Sequence, residues 1–160
     1  MIPQRLKKFL DEKEVPYEIV DHAEEFTAQE MAQTEHISGR KIAKTVMVRA
    51  DGRDVMVVVP AHCRVDLLKL GAALWIEDGL SIEREDEFAD LFPDCERGAM
   101  PPFGKLYGIP CFVDRSLFEE PDIWFNAGSH WESIRMSSAH YRRIMDAEIG
   151  DFAVPACVGV

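Results

Sequence analysis

Residues 43–60 read AKTVMVRA-DG-RDVMVVVP. Apolar residues dominate both halves, and β-branched residues fill the second, as suits a pleated, half-buried surface. Asp51-Gly52 between them tolerates the positive φ values of a type I′ turn, whose twist matches that of paired strands. The stretch predicts a hairpin: a strand over Ala43 to Ala50, a two-residue turn, and a partner over Arg53 to Pro60. Before it, Leu6, Phe9, Leu10 and Lys13 fall at helical spacing, predicting a helix over residues 3–13 with Pro3 near its start. Tyr17 to Val20 reads as a short strand. Thr27-Ala-Gln-Glu30 is a capping box, opening a helix to about His36 that Ser38-Gly39 closes. After the hairpin, Asp66 can cap a helix through Leu67, Leu68, Leu70 and Leu74. Leu80 to Ile82 reads as a strand, Glu85 to Phe92 as a short acidic helix, and 97–104 as a Gly/Pro loop. Strands are expected at 106–113, 122–127 and 132–136. Ser137 can cap a helix from Ser138 to Met145, and Phe152 to Val154 ends the pattern as a strand. A central hairpin with irregularly interspersed helices predicts an α+β fold rather than regular βαβ winding.

The chain has 160 residues, which predicts one domain over 1–160 with one core. Hydrophobic residues make up 47% and charged residues 29%, a globular balance that excludes disorder. Eighteen basic against 29 acidic residues leave a net charge of −11. Such a chain has no surplus of positive charge to displace counterions, so DNA and membrane surfaces are excluded as partners. A nucleic acid, if bound, is touched locally and briefly. The longest apolar stretch, Val55 to Ala61, falls far short of the roughly 20 residues a membrane span needs. The N-terminal MIPQRLKKFLDEKEV lacks an apolar h-region. No signal peptide is therefore expected, and a cytoplasmic location is. Cys63, Cys95, Cys111 and Cys157 form no CxxC pair, and no HxxxH or HExxH occurs. Reduced thiols and no metal are expected.

Three places can carry chemistry. Lys44 shares parity with Val46 and Val48, and alternate side chains of a strand share a face. Its ammonium either meets an anionic partner at the rim of a cleft or snorkels to water. Gly98-Ala-Met-Pro-Pro-Phe-Gly104 combines proline stiffness with glycine freedom. It either presents fixed N–H groups to a developing negative charge or is a tight connection. Its spacing fits neither a dinucleotide fingerprint nor a P-loop. Asn126-Ala-Gly128-Ser129-His130 is a strand end entering a turn, where Ser129 and His130 can bond a substrate or face solvent. Neighbours in a strand point apart, which argues against a Ser129–His130 nucleophile–base pair. His22, His36, His62 and His140 read as structural or exposed, with His22 notable for preceding the Thr27 cap.

Taken in order, the Thr27-capped helix, Lys44-Thr45 at a strand start, Gly98-x-x-x-Pro102-x-Gly104 and Asn126-Ala-Gly128-Ser129 resemble the YbaK / prolyl-tRNA synthetase-associated editing domain family. The likeness spans roughly residues 20–146. It implies a single compact α+β domain with a curved, mostly antiparallel mixed sheet, barrel-like and flanked by helices. It implies a free-standing trans-editing hydrolase that removes wrong amino acids from tRNA by hydrolysing the aminoacyl ester, needing no cofactor. The tRNA acceptor end would be a weak, transient partner, with a synthetase as a second. By this resemblance Lys44, Gly98, Pro102 and Gly104 are catalytic, and Gly128, Ser129 and His130 line the substrate pocket. His22 and Thr27 fall in the family's first pocket segment. Pro101 stands where many members carry a hydroxyl residue, so amino-acid preference does not transfer. The alternative is a non-enzymatic pocket for an amino acid or nucleotide on the same fold. An unrelated esterase would need an elbow such as GxSxG, which is absent.

An aminoacyl ester is already activated. Its hydrolysis needs a placed water and a stabilised oxyanion, at ~3 kcal/mol per donor. Lys44 can serve as phosphate anchor or carbonyl activator, and the free ribose hydroxyl can move protons. Arg40, Lys41, Lys44 and Lys105, with Arg64 and Lys69 nearby in sequence, are the candidate patch for the acceptor end. Size selection alone gains only ~1–3 kcal/mol per methylene.

Overall fold

The computed structural model describes residues 2–21 and 37–156. Helix α1 spans Gln4–Glu12, with Pro3 at its N-cap. Strand β1 is Tyr17–Asp21. The hairpin is formed by β2 (Ala43–Ala50) and β3 (Arg53–Pro60), paired antiparallel from Ala43↔Pro60 to Ala50↔Arg53. Asp51 and Gly52 take φ of 51° and 79°, the left-handed pair that a type I′ turn requires. Strand β4 (Cys63–Val65) leads into α2 (Leu67–Leu74). Asp66 caps α2 by accepting the N–H groups of Leu68 and Lys69 at 2.9 and 3.2 Å. Then come β5 (Leu80–Ile82), α3 (Glu85–Phe88), β6 (Cys111–Asp114) and β7 (Asp122–Asn126). The chain continues through β8 (Glu132–Ser137), α4 (Ser138–Ile144), β9 (Glu148–Gly150) and β10 (Ala153–Pro155).

Two sheets and a ribbon result. The larger sheet runs β5-β2-β3-β6-β9 and the smaller β1-β8-β7, while β10 pairs with β4. Pairings β3/β6 and β6/β9 are parallel and the others antiparallel, so the fold is mixed and mostly antiparallel α+β. One parallel bridge, Ile42↔Trp124, carries β7 alongside the start of β2. The two sheets thereby curve into one another, but the described strands do not close into a barrel.

The core divides by strand parity. On one face Met47, Met56, Val58, Ile123, Phe125, Ile134 and Met136 pack against α1 and α4. Phe103 lies at the centre of that layer, edge-on to Phe9, Phe125 and Tyr141 at 5.2–5.7 Å between ring centroids. On the other face Val48, Val55, Val57 and Val59 pack beneath α2 and the β4/β10 ribbon.

Two expectations change. The strand expected over 106–113 is confined to Cys111–Asp114, because Gly104–Tyr107 winds into a 3-10 turn that Gly108 ends at φ 67°. Ser38-Gly39 begins a 3-10 turn at Gly39–Lys41, while the helix it was expected to close lies outside the described residues. The acidic helix is α for only Glu85–Phe88, then 3-10 over Ala89–Leu91. The helix expected from Thr27 to His36 lies outside the described residues, as do His22 and Cys157. Among the described residues no helix is long and apolar enough to cross a membrane.

Candidate active site

Lys44 pairs with Val59 in the hairpin and lies on the face of β2 that carries Val46 and Val48, as its parity predicted. Its ammonium donates to the Cys63 carbonyl at 2.6 Å. Burial lowers its pKa from the usual lysine value, the nearby Cys63 opposing the effect. The amine is thus half-buried and held by a single neutral carbonyl, with no carboxylate bonded to it among the described residues. A buried cation with so little compensation favours an anionic ligand.

The Ile42↔Trp124 bridge places what stands on the other side of Lys44. Lys44 and Asn126 each stand two residues beyond that bridged pair and so share its parity. Asn126 pairs with Ser133 across β7 and β8. Both are buried polar residues, at 8% and 0% exposure, on a face where solvated side chains such as Glu18 and Arg135 occur further along. The Asn126 Oδ1 is buried and accepts no hydrogen bond.

The turn after Asn126 meets the proline-stiffened loop. Gly128 N–H donates to the Ala99 carbonyl at 2.8 Å, and Glu96 N–H donates to the Gly128 carbonyl at 2.8 Å. Gly128 has φ 90°, and a Cβ there would lie 2.5 Å from Pro3 Cδ, so α1 abuts this turn. His130 N–H donates to Glu96 Oε1 at 2.7 Å. Its Nε2 lies 2.7 Å from the Arg97 carbonyl, which can only accept, so Nε2 carries the proton. A Cβ on Gly98 would be 3.6 Å from the His130 ring, so Gly98, Gly128 and His130 form one cluster. Ser129 Oγ accepts the Trp131 N–H at 3.2 Å and shapes the turn.

The end of the Gly98–Gly104 loop goes elsewhere. The Pro102 carbonyl accepts the buried Tyr141 hydroxyl at 2.7 Å. A Cβ on Gly104 would sit 2.3 Å from the Ile109 carbonyl oxygen, and the Gly104 N–H faces the Cys111 sulfur. Pro102 and Gly104 therefore seat the loop in the core. The Ala99 and Phe103 N–H groups donate to the Glu96 and Pro101 carbonyls, and prolines have none, which leaves Gly98 and Met100 as its candidate N–H donors. The patch also divides. Lys105 lies 5.2 Å over the Phe9 ring, on the α1 side, and Lys69 is held by Asp151 and the Ala153 carbonyl. Arg40 and Lys41 precede β2. Asp114, which the sequence reading passed over, is buried and accepts the N–H groups of Phe152 and Ala153, pinning β10 beside a cleft of about 220 Å³ lined by Arg40, His62 and Cys63. No group of three or more His, Cys, Asp or Glu among the described residues could hold a metal ion.

These elements fall within a recognised sequence family. The model of the aminoacyl-tRNA editing domain matches residues 22–144. The chain belongs to that family. A curated relative, the multifunctional Ser/Thr-tRNA deacylase ProXp-y of Escherichia coli K12, is 26% identical over 155 residues, covering 93% of this chain and 91% of the relative. Solved structures agree in fold. A hypothetical protein superposes with a TM-score of 0.83 at 18% identity, over 94% of this chain and all of that one. A proposed trans-editing enzyme for prolyl tRNA synthetase gives 0.79 at 21% identity, over 94% and 96%. The editing-domain match takes in Lys44, both glycine loops and Asn126, and it begins at His22.

Proposed function

We propose that the chain is an aminoacyl-tRNA deacylase that acts in trans on mischarged tRNA as one domain over residues 1–160. The observation that carries this reading is the Gly98–His130–Gly128 cluster at the end of β7, the strand bridged to the start of the Lys44 strand at Ile42↔Trp124. Family membership and the deacylase named among the relatives support it. The acceptor end is the partner, bound locally, since a net charge of −11 opposes a broad tRNA footprint. A synthetase is the second proposed partner.

In the reaction, water adds to the ester carbonyl, the carbon–oxygen bond to the ribose breaks, and the proton goes to the departing ribose oxygen. Lys44 holds the terminal phosphate or the carbonyl oxygen as a fixed cation. The N–H groups of Gly98 and Met100 face the oxyanion, and Gly128, Ser129 and His130 shape the pocket wall. Pro102 and Gly104 act by holding the loop. His22 and Thr27, which lie outside the described residues, are proposed as substrate-binding on the family resemblance alone.

The test is a panel of mischarged tRNAs, seryl and threonyl species first, with wild type and Lys44→Ala. Loss of at least 100-fold in kcat/KM on substitution supports the reading. Binding without turnover would make the chain a ligand-binding module, and lysine-independent turnover would remove Lys44 from the mechanism.

A further inference from the structure

Asn126 is the polar side chain that the mechanism above leaves unused. It is more than nine-tenths buried, its Oδ1 accepts nothing, and it shares the parity of Lys44 relative to the Ile42↔Trp124 bridge. An asparagine that serves only a turn bonds nearby backbone N–H groups with its carbonyl. Here the adjoining N–H groups are engaged otherwise: Gly128 with the Ala99 carbonyl, Ala127 with the Glu132 carbonyl, Trp131 with Ser129 Oγ. A buried acceptor without a donor is costly to the fold, and such groups in native proteins call for an explanation.

The surroundings say which donor fits. Lys44 leans toward β4, where Cys63 holds its ammonium, whereas β7 lies along the opposite edge of β2. One face therefore carries a cation at one pole and a neutral, uncharged acceptor at the other. Like charges repel, so a ligand with both an anionic part and an ammonium would orient with its ammonium away from Lys44. An aminoacyl-tRNA end is such a ligand: phosphate at one side, free α-ammonium at the other. We infer that Asn126 Oδ1 accepts the α-ammonium of the aminoacyl group, so that the site distinguishes a free amino acid ester from one without an α-amine. This rests on the deacylase reading and names its second anchor.

The experiment uses non-hydrolysable 3′-aminoacylamino-adenosine. The acyl group is the amino acid turned over fastest in the panel, or serine if none is. Its partner is the α-hydroxy counterpart, which lacks the amine. Binding is measured by calorimetry for wild type, Asn126→Leu, Asn126→Asp and Asn126→Ser, with unfolding midpoints recorded for each. Wild type is expected to prefer the amine at least 10-fold. Asn126→Leu should reduce the preference below twofold through weaker amine binding alone, and Asn126→Asp should keep it. Asn126→Ser, smaller and polar, answers the same question if the leucine variant does not fold. Equal binding of both analogues by wild type, or a preference that survives in the leucine or serine variant, overturns the inference while leaving turnover in the panel intact. Absence of both binding and turnover instead overturns the deacylase reading, and this inference with it.

Discussion

Gly104→Ala separates a glycine needed for packing from one needed for chemistry. Gly104 does not require a left-handed backbone, but an added Cβ would lie 2.3 Å from the Ile109 carbonyl oxygen and 3.0 Å from Cys111 Cβ. Ordinary contact begins near 3.4 Å. The obstacle is backbone, so relief requires the Gly104–Ile109 turn to open by about an ångström, at ~1–3 kcal/mol for overpacking. The Ile109 N–H to Gly104 carbonyl bond, 3.0 Å long, closes that turn and would be weakened at about 1 kcal/mol more. The expected loss is about 2–4 kcal/mol, read as a lower urea midpoint at unchanged slope. At the size of this chain that is a fall in Tm of about 6–12 °C. Deacylation by the folded fraction, measured well below the transition, should stay within twofold of wild type. Gly98→Ala is the contrast: its Cβ would meet the flexible Glu85 Oε1 at 2.9 Å, at a φ of 78°. Stability should fall by only about 1–2 kcal/mol, from left-handed strain, with a larger loss of kcat. Wild-type stability and lost activity in Gly104→Ala would refute the packing argument and return this amide to the catalytic machinery.

Two further outcomes follow from buried groups. Asp114→Ala removes the acceptor of the Phe152, Ala153 and Ser116 N–H groups, and should cost about 3–6 kcal/mol in denaturant unfolding. Asp114→Asn, which keeps one oxygen for the first two, should cost about a third of that. Burial pushes the Cys95 thiol up to about 11 and Cys111 up to about 12. In the native protein at pH 8 both should therefore react with iodoacetamide at least 100-fold more slowly than after unfolding, followed by peptide mass spectrometry.

How much of this was legible beforehand depends on whether the cause was local. The hairpin, the Asp66 cap and the Ser137 cap, whose hydroxyl accepts the His140 N–H, are written in adjacent residues and occur where the pattern puts them. The overlong strand at 106–113 contained its own signal: Gly108, free to take a positive φ, ends a turn there. Strands β4 and β9 have three residues each and exist only through distant partners, so no local pattern announces them. In the site, the face of Lys44 followed from parity. Its relation to Asn126 did not, because it depends on one parallel bridge, Ile42↔Trp124, between segments far apart in the chain. Gly98 and Gly104 look alike in the motif, but only coordinates separate the exposed one beside His130 from the one wedged against Ile109.

The burial of Lys44 also sets how binding should respond to pH. Its folded pKa lies below the ordinary 10.5, because desolvation disfavours the charged form. If the ammonium anchors the anionic part of the acceptor end, affinity is full while the amine is protonated. It is lost as pH rises through that lowered value, before a surface lysine would titrate. Bound phosphate favours the charged form, so the complex itself should lose its proton later than the free protein, and binding in this window should take up protons. Lys44→Arg supplies the control, since a guanidinium stays charged throughout. Calorimetric titration of the 5′-phosphorylated α-hydroxy analogue, which has no amine of its own to titrate, between pH 7 and 10 should give falling affinity for wild type and a flatter profile for Lys44→Arg. Buffers of different ionisation heat should report proton uptake for wild type alone. Parallel profiles in the two proteins, or no proton uptake, would mean that the ammonium does not face the ligand's charge, and the carbonyl role would be the one left for it.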